Sequence, residues 1–218
     1  MKINKNKLMN EIQLLEEKTN FIKNQVNIIR ETPNKGNITN QSNNKDGRNF
    51  YSSSEFFFLE VMDKNYSEIR KELDKIINEN SSVFQPWIEK ELYEESNPSG
   101  WDIAPIMINK EFVEENCKIA PFLYEIISKI PNIVSCSYSL LKPGTRICPH
   151  KGYDDYSEKN LRYHLGLIIP KGDLGLRVCD EIVEWKEGSS FVFDDFKIHE
   201  AWNFSECDRY VLICDFVI

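Results

Sequence analysis

The sequence predicts a mainly β domain with supporting helices, preceded by a helical extension. Three observations carry this. After Pro131, short β-rich runs alternate with turn dipeptides at Pro143-Gly144, Lys171-Gly172 and Glu187-Gly188. Before Pro131, apolar residues recur at helical rather than alternating spacing. Near the N-terminus, an asparagine-rich stretch separates one amphipathic segment from everything that follows.

The first element is residues 1–31. Leu8, Ile12, Leu15, Thr19, Ile22, Val26 and Ile29 alternate spacings of four and three, a heptad seam with one polar interruption. Such a helix either docks on the protein's own surface or drives self-association or partner binding. Residues 32–49 carry almost no large apolar side chain and read as a flexible linker. Residues 1–49 hold nine Lys/Arg against five Asp/Glu, whereas the whole chain has a net charge of −8, so the extension and the body differ in sign. The body is expected to run from 50 to 218. Tyr66, Ile69, Leu73, Ile76 and Ile77 mark one amphipathic helix. Pro121 starts a second, with Phe122, Ile126 and Ile130 on one face and Pro131 as its stop. The β-rich runs are 133–141, 163–170, 174–180, 189–195 and 209–218.

With 218 residues, 41% hydrophobic and 28% charged, the chain holds one ordinary domain plus a modest extension. Its richest apolar run, Phe56 to Met62, is broken by Glu60 and falls far short of the ~18 residues a membrane helix needs. An acidic chain lacks the basic face of a nucleic-acid binder. The N-terminal lysines precede no continuous apolar core, so no signal peptide is expected. The six cysteines form no C-x-x-C pair. Together these features predict a cytoplasmic protein with reduced, buried thiols.

All three histidines, His150, His164 and His199, fall in the β-rich half. His150 lies in KPGTRICPHKG and His199 in FVFDDFKIHEAWN, each at a strand end or in the loop after it. Two such ends can meet at the mouth of a barrel. Two neutral imidazoles suit Fe(II), whose non-haem oxygenase sites commonly add one carboxylate and keep positions open. The carboxylate usually sits two residues after the first histidine, where this chain has Gly152. Asp154 and Asp155 are nearby at the wrong spacing. Strand alternation would put Cys148 on the face of His150.

The ordered motifs PH-x-G, R-x-HLGL, FDD-x-x-x-HE-x-W and a later arginine, from Ser139 to Asp215, resemble the aspartyl/asparaginyl β-hydroxylase family of Fe(II)/2-oxoglutarate oxygenases. The likeness thins back through NPSGW (97–101) and stops before the extension. The resemblance implies a double-stranded β-helix (jelly-roll, cupin-like) core. It implies His150 and His199 as the metal ligands, with no protein carboxylate, as Gly152 fits. It also implies that 2-oxoglutarate chelates the iron and that O2 is the co-substrate. Arg209 matches the arginine that pairs with the distal carboxylate of 2-oxoglutarate, and Ser139 the hydroxyl that assists it. Arg162 and His164 match residues near its iron-binding end. Asp195 matches a catalytic-site acid that holds water rather than metal. Trp101 and Trp202 are candidates to line the pocket.

The expected reaction is hydroxylation at Cβ of an Asp or Asn residue in a peptide or protein. A halogenase or small-molecule hydroxylase on the same scaffold, and a non-catalytic jelly-roll binding module, are the alternatives. Asp195 weighs against a halide through like-charge repulsion, and the lack of a membrane anchor weighs against a lipid substrate.

Overall fold

The computed structural model describes residues 47–87, 89–93, 99–152 and 160–218. The expected helix over 1–31, with its proposed association face, and nearly all of the 32–49 linker lie outside the described residues. So do Asp154 and Asp155.

Twelve strands are formed by these residues: β1 (Phe50–Tyr51), β2 (Gln85–Pro86), β3 (Trp101–Ile108), β4 (Glu111–Phe112), β5 (Ile133–Leu141), β6 (Thr145–His150), β7 (Asn160–Ile168), β8 (Leu174–Val178), β9 (Glu181–Val183), β10 (Ser190–Phe193), β11 (His199–Asn203) and β12 (Arg209–Val217). They make two antiparallel sheets. The larger runs β1-β10-β7-β12-β5-β3-β2, with β4 beside β3; the smaller runs β6-β11-β8-β9. Consecutive strands repeatedly cross from one sheet to the other, and side chains of both sheets share one apolar interior. The architecture is a jelly roll, mainly β with few helices.

The large sheet is buried on both faces, and period-two alternation divides its residues between them. On β12, Tyr210, Leu212, Cys214 and Phe216 pack in one core with the helices. Val211 and Ile213 turn the other way, into the space between the sheets. On β7, Leu161, Tyr163, Leu165 and Leu167 join the helical side. The inter-sheet core collects Leu141 of β5, Ile147 of β6, Leu174, Leu176 and Val178 of β8, and Ala201 of β11.

The helix Tyr66–Glu79 buries Ile69, Leu73 and Ile76 against the large sheet, in keeping with its i, i+4, i+7 spacing. Glu72 of that helix accepts hydrogen bonds from the backbone N–H groups of Phe122 (2.7 Å) and Leu123 (3.1 Å) and from the Tyr138 hydroxyl (2.9 Å). One carboxylate thus ties two helices to β5. The second helix, Pro121–Ile127, is shorter than expected and buries Leu123, Ile126 and Ile127. It stops before Pro131 because its end tightens into i→i−3 bonds, Lys129 to Ile126 and Ile130 to Ile127.

Strand β3 was not anticipated. Pro105 interrupts its pattern, and the pairing with β5 shifts register between Pro105 and Met107, the irregularity that lets proline sit inside a sheet. All six cysteines are free, but only Cys117, Cys136 and Cys214 are buried; Cys179 and Cys207 are exposed and Cys148 is intermediate. No helix among the described residues is long and apolar enough to cross a membrane.

Candidate active site

His150 ends β6 and His199 begins β11, and the two residues are direct cross-strand partners. Their ring centroids lie 4.2 Å apart. The β6–β11 pairing places Ile147 opposite Ala201 and His150 opposite His199, so β6 carries one extra residue between them. This bulge re-aims His150 toward the interior. It also breaks the alternation that would have put Cys148 on the same face. What Cys148 contributes is its carbonyl, which accepts from Nδ1 of His150 at 2.7 Å.

His199 makes the same bond to the Lys197 carbonyl, at 2.9 Å. A carbonyl can only accept, so each Nδ1 carries the proton and each Nε2 of the neutral ring keeps a lone pair. Burial lowers the pKa of His150, and lowers that of His199 further, where His150 and Arg162 add repulsion. Both rings are neutral at neutral pH, the form that binds metal. Nε2 of His199 stands 3.4 Å from Oδ1 of Asp195. A lone pair facing a carboxylate oxygen is repelled by it, and a cation held by the two imidazoles would relieve that repulsion. Among the described residues, no group of three or more His, Cys, Asp or Glu side chains is arranged to hold a metal ion. The donor set is therefore two imidazoles beside an acid.

Asp195 occupies the place where a third ligand's side chain would begin. A Cβ built on Gly152 would lie 1.7 Å from Oδ2 of Asp195. The Gly152 N–H donates to the Asp195 carbonyl at 2.7 Å, which locks the two segments together. Arg162 reaches Asp195 with Nη1 at 2.8 Å and grips Asp215 with Nε at 2.6 Å and Nη2 at 3.0 Å. Arg162 is thus bound on both sides by carboxylates. Its charge holds the buried Asp195 and the partly buried Asp215 close to the imidazole pair.

A second cluster faces the same interior from β5, β7 and β12. Arg209 is 2% exposed. Its Nε and Nη1 have no hydrogen-bond partner. Burial without a counter-charge pushes its pKa down to about 9. His164 is fully enclosed, and burial together with Arg209 and Arg162 drives its pKa well below the usual value. Its Nε2 is also unpartnered. Ser139 is completely buried and accepts from Trp101 Nε1 at 2.9 Å, which leaves its own hydroxyl proton to donate. Phe191 and Phe193 pack on His164, at 5.6 and 5.2 Å between centroids.

Natural interiors rarely leave a guanidinium and an imidazole N–H unsatisfied side by side. The orphaned donors fit an anion with carboxylate oxygens, and the imidazole pair fits a divalent cation. Ferrous ion on His150 and His199, with 2-oxoglutarate reaching Arg209, His164 and Ser139, matches this division of charge. Of the two candidate tryptophans, Trp101 lies in the inter-sheet core. Trp202 does not: it follows inward Ala201, packs over Gly175 and donates to the exposed side of Asp173 at 2.7 Å. The sequence motifs missed Trp185, which contacts both His164 and Arg209. Its signal was present in Gly166, a glycine inside a strand pattern, which marks a close backbone approach.

Fold and site together define the 2-oxoglutarate–Fe(II) oxygenase-like class of hydroxylases. More narrowly, the chain belongs to the aspartyl/asparaginyl β-hydroxylase family, whose model matches residues 63–218. It is 33% identical over 172 residues to an ornithine lipid ester-linked acyl 2-hydroxylase of Rhizobium tropici, covering 77% of this chain and 59% of that protein. It is 31% identical over 162 residues to the aspartyl/asparaginyl β-hydroxylase of Homo sapiens, covering 72% of this chain and 20% of that protein. The chain therefore spans less than two thirds of each of these relatives. Among solved structures, a Pseudomonas putida prolyl-4-hydroxylase superposes with a TM-score of 0.46 at 16% identity, over 70% of this chain and 86% of that one.

Proposed function

We propose that the protein is an Fe(II)- and 2-oxoglutarate-dependent hydroxylase acting on a methylene next to a carbonyl carbon, with Cβ of an aspartyl or asparaginyl residue in a peptide or protein as its substrate position. The observation that carries the reading is the pairing of two poised features in one interior: neutral imidazoles with Nε2 lone pairs, and the buried Arg209, whose Nε and Nη1 have no hydrogen-bond partner. When bound, ferrous ion and 2-oxoglutarate supply O2 activation, with one oxygen atom leaving in succinate, the other in the product hydroxyl, and CO2 released.

The residues themselves bind, orient and exclude. His150 and His199 present lone pairs held in place by backbone carbonyls. Arg209 offers a planar fork to a carboxylate, which a lysine would not reproduce. Asp195 accepts hydrogen bonds beside the metal position without belonging to the metal-ligand pair. The aromatic wall of Phe191, Phe193 and Trp185 keeps water from the cosubstrate. The Asp195 carboxylate beside Gly152 supports hydroxylation over halogenation, since it sets negative charge where an anion would have to bind.

One observation favours a second reading. The relative at 33% identity is named for hydroxylation of an ester-linked acyl chain, and C2 of an acyl group, like Cβ of an aspartyl residue, adjoins a carbonyl. The expectation against lipid substrates therefore loses its force. The test is a turnover assay with Fe(II), 2-oxoglutarate, O2 and ascorbate. Aspartyl and asparaginyl peptides are compared with ester-linked acyl lipids, and products are read by mass spectrometry. A peptide gaining one oxygen atom together with succinate supports the first reading, and an oxygenated lipid replaces it with the second. Succinate no greater than in the metal-free control, with every substrate, refutes the enzymatic reading.

A further inference from the structure

The segment between β9 and β10 carries a residue that neither the motifs nor the comparisons equip with a role. Trp185 is 4% exposed. Its indole Nε1–H donates to Nδ1 of His164 at 3.1 Å. The Arg209 guanidinium lies over its ring, 4.5 Å from the centroid. The indole and imidazole planes differ by only 20°.

An indole nitrogen can only donate, so Nδ1 of His164 must accept. In a neutral imidazole the single proton is then on Nε2, the atom with no partner in the structure. The opposite tautomer would set one N–H against another and orphan both. Trp185 thus decides which way His164 faces its proton. Its ring face also holds Arg209, a cation–π contact that strengthens in a desolvated site.

The strand explains how the tryptophan gets there. A Cβ on Gly166 would fall 2.2 Å from the Lys186 carbonyl oxygen. Without it, residues 186–189 run close beside β7: the Gly166 N–H donates to Ser189 at 3.0 Å and the Gly188 N–H to Gly166 at 2.9 Å. That approach sets Trp185 against His164, two residues before Gly166 on the same inward face.

We infer that Trp185 is a positioning residue for the cosubstrate, one side chain that fixes both the Nε2–H of His164 and the guanidinium of Arg209 as donors toward a dicarboxylate. The inference rests on the 2-oxoglutarate reading of this site. A purely space-filling tryptophan would be replaceable by phenylalanine without change in either donor.

The test uses the full chain with Zn(II) in place of iron. Long-range proton–nitrogen NMR of labelled histidine reports the His164 tautomer, and calorimetry reports 2-oxoglutarate binding. Wild-type His164 is expected as the Nε2–H form. Trp185→Phe keeps the ring under Arg209 but loses the donor. It should mix the tautomers and weaken 2-oxoglutarate binding about tenfold, the scale of one hydrogen bond. With iron, the KM for 2-oxoglutarate should rise while kcat holds. In a His164→Asn background the same change should have little further effect. A wild-type His164 protonated on Nδ1 overturns the inference without any variant. So does a Trp185→Phe protein that binds 2-oxoglutarate as wild type does, or one whose penalty persists in full beside His164→Asn. A wild-type protein that fails to bind 2-oxoglutarate at all sinks the cosubstrate reading instead, and the tautomer result then stands as a separate fact.

Discussion

Replacing Gly152 by alanine adds one methyl group to the most crowded point of the site. Its Cβ would stand 1.7 Å from Oδ2 of Asp195, 2.4 Å from Cγ and 3.1 Å from the Asp195 carbonyl oxygen. The backbone cannot retreat without losing the 2.7 Å hydrogen bond between these same residues. The carboxylate must therefore swing away from Arg162, which now holds it at 2.8 Å with 2% of Asp195 exposed. Overpacking a tight interior costs about 1–3 kcal/mol, and stranding one member of a buried ion pair about 3–5 kcal/mol. Arg162 keeps its two-pronged grip on Asp215, which softens the second figure. A loss of roughly 2–5 kcal/mol is expected, by combining the overpacking and ion-pair ranges. Urea denaturation of the metal-free protein measures it. Asp195→Ala empties the contested space, so adding Gly152→Ala to that variant should cost less than about 1 kcal/mol, a strongly non-additive pair. Gly152→Asp alone should fail for the same steric reason. Combined with Asp195→Ala it returns a carboxylate to the position two residues after His150 and should tighten metal binding. Gly152→Ala within about 0.5 kcal/mol of wild type, or costs that simply add, would refute the reasoning.

Other substitutions probe the remaining parts. His150→Ala and His199→Ala should each abolish iron-dependent succinate formation, with loss of metal binding visible by calorimetry. Arg209→Met removes a buried charge that has no counter-ion, so the cosubstrate-free protein should gain roughly 1–3 kcal/mol in denaturant titration while saturation by 2-oxoglutarate is lost. His164 supplies a pH signature. Its folded pKa lies well below the ordinary 6.5, so below that pH the unfolded chain binds a proton the folded one refuses. Stability from this group is complete above the unfolded pKa and falls as pH drops toward the folded one, by about 1.4 kcal/mol per unit. His164→Gln should lack that part of the slope, as seen by comparing denaturation of the two proteins across the acid range.

The parts of the structure legible in the sequence are those written in local pattern. Ile69, Leu73 and Ile76 announce their helix by spacing alone, and β5 and β12 fall within a residue of the runs that predict them. His150 and His199 sit at strand ends as their surroundings suggest, because the flanking turns and apolar runs are themselves local. What escaped depends on contacts distant in sequence. Strand β3 hides behind Pro105, whose tolerance needs a register shift against β5. The displacement of Cys148 depends on one extra residue in β6, visible only when β6 is laid against β11. Trp202, three positions after His199, reads as a pocket residue, but strand parity and Gly175 place it outside. Trp185 falls outside the motifs, and its meaning comes from Gly166, nearly twenty positions earlier.

Strand β12 is read differently by its odd and even positions. Counting from Arg209, alternate residues face the space between the sheets, where Arg209 and Asp215 flank the apolar Val211 and Ile213, and the intervening ones pack with the helices. A saturation library over this strand should show tolerance oscillating with a two-residue beat: activity lost without unfolding at Arg209 and Asp215, unfolding at Leu212 and Phe216. A single-codon insertion near its middle would exchange the two sets downstream, setting Phe216 among polar partners and Asp215 among the helices. Evolution can therefore vary this strand by substitution, but a change in its length would have to come in pairs.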